Sequence, residues 1–67
     1  MKNEASFITD AAEIMGENLD TYDAEAWAII AVYEKVHGVN IRPELIHDIK
    51  ERAQKLADAL ERIESQL

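Results

Sequence analysis

"EAWAIIAVY", residues 25–33, contains one charged residue and eight apolar ones. A helix through it is apolar almost all the way round, in a chain of only 67 residues. Projected at 100° per residue, the apolar positions around it fall on two seams. Tyr22, Ala26, Ile29, Tyr33 and Val36 step by 4, 3, 4, 3 along one side. Ala24, Ala28, Ala31 and the stem of Lys35 step by 4, 3, 4 along the other, with Trp27 beside them. Ile30 joins the two. The helix therefore has two faces to bury, and the rest of the chain must supply the cover.

The flanking segments read as two more helices. After Phe7, the residues Ile8, Ala11, Ala12, Met15 and Leu19 recur at helical spacing. Ser6 is a plausible N-cap in competition with Asn3, and Gly16 is expected to weaken or bend this helix. Asp20, with Asp23 three residues on and Leu19 as a staple, opens the second helix. Gly38 closes it as a left-handed C-cap, with Val39 folding back onto Tyr33. The short link GVNIR (38–42) suits antiparallel helical neighbours. Pro43 opens the third helix where its missing N–H costs nothing, and it holds Arg42 out of the helical region.

The third helix has the most regular pattern. Ile46, Ile49, Ala53, Leu56, Leu60, Ile63 and Leu67 step by 3, 4, 3, 4, 3, 4, an a/d seam. Asp48–Arg52, Glu51–Lys55 and Asp58–Arg62 are spaced i,i+4 on its outer face. The expected fold is all-α, a small bundle of one short and two longer helices in a single domain, 1–67. The expected bounds are about 6–18, 21–37 and 43–66.

In that bundle the long third helix covers the large-residue seam of the second, and the first covers part of the other side. A chain this small buries only about 60% of its unfolded surface. It has no cysteine, so neither disulfides nor thiolate metal sites can staple it. Leaving Trp27 and its neighbours wet would forfeit roughly 2–3 kcal/mol per large side chain. Small residues at 4-3-4 spacing also let two backbones approach closely. A homodimer through the second helix uses one patch twice, and Ala24, Trp27, Ala28, Ile30 and Ala31 are its expected interface. The competing reading is a monomeric three-helix bundle. The seam on the third helix is an alternative dimer surface.

Charge narrows the function. The net charge is −7, and residues 1–25 carry seven acids against Lys2 alone. No basic footprint exists, so direct nucleic-acid binding is not expected. Nothing resembles a signal peptide, and the run from Ala26 to Tyr33 is too short to span a bilayer, so a soluble, cytoplasmic protein without membrane contact is expected. Asp10, Glu13 and Glu17, continued by Asp20 and Asp23, form an acidic ridge. The ridge reads either as a solvated face or as a docking surface for a basic partner protein. In the sharper form it is a phosphate mimic that occupies a DNA- or RNA-binding protein.

Catalytic machinery is not visible. There is no cysteine nucleophile, no glycine-rich phosphate loop, and neither serine adjoins a histidine in sequence. Glu44-x-x-His47 has the spacing of a ligand pair in carboxylate-bridged di-iron bundles. A dimer would supply two copies, with Glu13 or Glu17 completing the set, but both side chains lie off the Ile46/Ile49 seam. His37 reads better as a residue meeting the helix C-terminal dipole, and His47 as surface. The expectation is a non-catalytic, homo-oligomeric regulator, adaptor or inhibitor that binds protein and needs no cofactor. A metal-carboxylate oxidase is the runner-up.

Overall fold

A computed structural model of the chain describes residues 3–18 and 23–67, and among them every regular element is helical. The order is α1 (Glu4–Glu17), α2 (Asp23–His37) and α3 (Pro43–Gln66). The expectations placed on Leu19, Asp20 and Tyr22, and on the Asp23 side chain, lie outside the described residues.

The helix ends follow local chemistry. Asn3, not Ser6, caps α1: its Oδ1 accepts the Ser6 N–H at 3.2 Å, satisfying one of the free amides of the first turn. That places the start two residues earlier than the apolar periodicity suggests. Gly38 adopts φ +65°, and the Val39 N–H donates to the Glu34 carbonyl at 3.2 Å. This six-to-one bond is the Schellman closure, and Val39 turns inward to 3% exposure. The Glu34 carboxylate also accepts the Ile41 N–H, which ties the link to α2. Arg42 is extended (φ −141°, ψ 157°) ahead of Pro43 in the first turn of α3.

The arrangement differs from the expected one in which helix is central. α1 packs against both α2 and α3, whereas the backbones of α2 and α3 do not pack on each other. Glu4 pairs with Arg42 at 2.9 Å, and the Arg52 guanidinium donates to Thr9 Oγ1 at 3.3 Å. With Gly16 against Leu56, these contacts set α1 parallel to α3. Asp10 meets His37 while Met15 lies near Ala26 and Ile30, so α2 runs antiparallel to α1. The reason is composition. α1 has two buried alanines, Ala11 and Ala12, flanked by the fully buried Phe7 and by Ile8, so it offers apolar surface on two sides. Gly16 lies within α1, and its missing side chain admits Leu56: a Cβ there would stand 2.6 Å from Leu56 Cδ2.

The core is Phe7, Ile8, Ala11, Ala12, Ile30, Val39, Leu45 and Ile49, with Met15, Tyr33, Ile41 and Ile46 packed against it. Leu45 is 1% exposed although it lies outside the predicted a/d seam. That seam is covered only over its first half. Ile49 and Ala53 are buried and Leu56 is half-buried, but Leu60 and Ile63 are 47% and 54% exposed and Leu67 is fully exposed. Length explains the change. At 1.5 Å per residue α1 is about 21 Å long and α3 about 36 Å, so the last turns of α3 extend past the end of α1.

Candidate functional site

Among the described side chains of α2 a single one is buried, Ile30. Ala26, Ile29, Tyr33, Glu34 and His37 are half-buried around it and mark the side that faces α1. On the 100° projection the direction opposite this side runs through Ala24, Ala28, Ala31 and Lys35, all exposed. Trp27 flanks them on one edge at 56% exposure, and Val32 and Val36 flank them on the other at 60% and 71%. Only Glu25 and Lys35 interrupt this outer face with charge.

The expected interface residues are therefore divided by the fold. Ala24, Trp27, Ala28 and Ala31 share the outer face, while Ile30 is enclosed by its own chain and does not belong to it. Val36, assigned to the covered seam, is on the open side. Val32 belongs to no seam in the sequence reading, yet the same projection sets it beside Ala28. Trp27 is not free of contacts on its inner edge. With Met15, Ala26, Ile30 and Ile46 it lines a small apolar depression of about 140 Å³ where side chains from all three helices converge.

The acidic ridge is also divided. Asp10 Oδ2 lies 3.0 Å from His37 Nε2, with the His37 side chain only 15% exposed. A carboxylate can only accept, so the ring nitrogen facing it holds the proton. His37 stacks on Tyr33 (centroids 5.8 Å, interplanar 8°) and meets the edge of Phe7 (6.3 Å, 82°). The pair thus locks the end of α2 to α1, a tertiary role beyond the dipole contact expected of His37. Its partner lay in another helix, so no local spacing in the sequence pointed to it. Asp10 is engaged in this lock, Glu13 and Glu17 are exposed, and Asp20 is outside the described residues.

Glu44 and His47 do not converge on a common point. Glu44 lies 3.8 Å from Arg42, and His47 pairs along the helix with Glu51 at 3.3 Å. Among the described residues no group of three or more potential ligands could hold a metal ion. On the outer face of α3, Gln54 donates to Asp58 at 3.1 Å, and Arg52 reaches Thr9 rather than Asp48. No described helix is long and apolar enough to cross a membrane. No protein-family model, curated protein or solved structure shows a significant match to the chain.

Proposed function

We propose that this chain is a small, acidic, non-catalytic protein-binding module of the cytoplasm, a regulator, adaptor or inhibitor that works as a homodimer through α2. One observation carries the reading. The outer face of α2 holds Trp27, Val32, Val36 and three alanines at exposed positions in a single chain. Scattered apolar residues on a surface are ordinary, but a contiguous helical face of them marks an interface. A two-fold pairing of α2 with α2 sets alanine against alanine, so the backbones can approach closely, and the larger residues on both edges close over the seam. Exposed Glu13 and Glu17 then remain available to a basic partner on a different side.

Trp27 is the only tryptophan and reports the interface without labelling. On dilution from micromolar to nanomolar concentration its emission should shift to longer wavelength, with a midpoint at the dimer dissociation constant. Emission independent of dilution would remove the homodimer from this reading. Affinity capture from a lysate, with an Ala28→Glu bait in parallel, would test the regulatory role. A partner lost with the dimer would support it, and no reproducible partner with either bait would count against it.

A further inference from the structure

The face of α3 that packs on α1 does not stop where α1 stops. Leu60, Ile63 and Leu67 continue it past Glu17 and form the floor of an open groove of about 510 Å³, which begins at Gly16 and is lined by Glu61 and Glu64. Upstream, the same residue spacing on the same face already accommodates a helix, α1. The shape this floor fits is therefore a helix presenting apolar anchors at i, i+3 and i+4.

The charge around the groove selects among helices. α1 ends beside it, with no basic residue in its last turn. Such a helix end carries roughly half a negative charge on its last carbonyls, although those of Ile14 and Met15 already accept hydrogen bonds from Asn18. By contrast, the last turn of α2 contains Lys35 and His37. Glu61 and Glu64 add full charges to the groove, while Arg62, the one base among residues 58–67, lines the outer side of α3 with Asp58 and Ser65. A second copy packing its own equivalent face here would bring the same acids to the site.

We propose that this groove takes a basic amphipathic helix from another protein, with its apolar stripe on Leu60, Ile63 and Leu67 and its cations over Glu61, Glu64 and the carbonyl end of α1. The proposal rests on reading the chain as a protein-binding module, but not on the homodimer. The probe is a labelled synthetic helix of about four turns, built of leucine at i, i+3, i+4 spacing with lysine elsewhere. Two controls have the same composition with the leucines scrambled, and the same spacing with glutamate for lysine. Binding is read by fluorescence anisotropy at low and high salt.

The wild type should bind the lysine helix and neither control. Ile63→Asn should weaken binding about tenfold or more, the equivalent of losing one buried aliphatic contact. Because Ile63 is half-exposed the fold should survive, and Leu67→Asn, at a fully exposed position, gives the same readout with no fold at risk. Glu61→Gln with Glu64→Gln should weaken binding and flatten its salt dependence. Asp48→Asn with Glu51→Gln, exposed on α3 and outside the groove, should leave it unchanged. Equal loss from the distal pair, equal affinity for the scrambled helix, or no binding by wild type would overturn the proposal. So would self-association that disappears in Ile63→Asn, because the groove would then hold a second copy. Ala28→Glu separates the two readings: it should lose any α2-mediated dimer and still bind the probe.

Discussion

Ala28→Glu is the most discriminating single substitution, because its cost differs sharply between one chain and two. In the isolated chain Ala28 is exposed, on the side of α2 opposite Ile30. Glutamate is a good helix former, so the substitution should cost at most about 0.5 kcal/mol. For a domain of this size that lowers the melting temperature by roughly 2–4 °C. In an α2–α2 dimer the same carboxylate is removed from water without a partner and faces its own copy across the axis. A penalty of about 2 kcal/mol per protomer, taken twice, weakens dimerisation about a thousandfold. The assay is thermal melting by circular dichroism over a hundredfold concentration range. Linked unfolding and dissociation of a wild-type dimer should lower the melting temperature by roughly 10 °C per hundredfold dilution. The variant should remain helical with superimposable curves at every concentration. A wild-type transition indifferent to dilution, or a variant that still shifts with it, would refute the reasoning.

Phe7→Ala should abolish cooperative melting, since losing a fully enclosed aromatic ring between α1 and its neighbours costs about 3–5 kcal/mol. Gly38→Ala should cost about 1 kcal/mol from backbone conformation alone, because φ is +65° and no atom lies within 4 Å of the added Cβ. Gly16→Ala gains helix propensity but brings its Cβ to 2.6 Å from Leu56 Cδ2, and the cost of that contact should be absent when the same substitution is made in a Leu56→Ala background, read as the coupling in a double-mutant cycle. Asp10→Asn should lower stability by about 1 kcal/mol through the His37 contact, whereas Glu13→Gln should change it by less than about 0.5 kcal/mol. Equal effects of the two acid substitutions, measured by urea denaturation, would remove the special role of Asp10.

The all-helical class and the presence of three helices were legible in the sequence because their causes are local. Periodicity marks the three helices, Gly38 and Pro43 punctuate the second link, and the alanine side of α2 is visible on a helical projection. What was not legible depends on which helices meet. Leu45 is enclosed because α1 sits between the other two helices, and no seam drawn on α3 alone includes it. Ile30 belongs to the core because α1 approaches α2 on that side. His37 and Asp10 are 27 positions apart, and only the antiparallel packing of α1 and α2 brings them together. The heptad spacing of α3 continues to Leu67, but spacing along one helix carries no information about where its neighbour ends.

The molar mass of the purified protein at micromolar concentration tests the central claim most directly, by sedimentation equilibrium or light scattering coupled to gel filtration. The single chain has a mass of 7.6 kDa, so the isologous α2 pairing requires roughly 15 kDa. A mass of 7.6 kDa throughout the micromolar range, with Ala28→Glu indistinguishable from wild type, would mean that the outer face of α2 stays in water and the homodimer does not form.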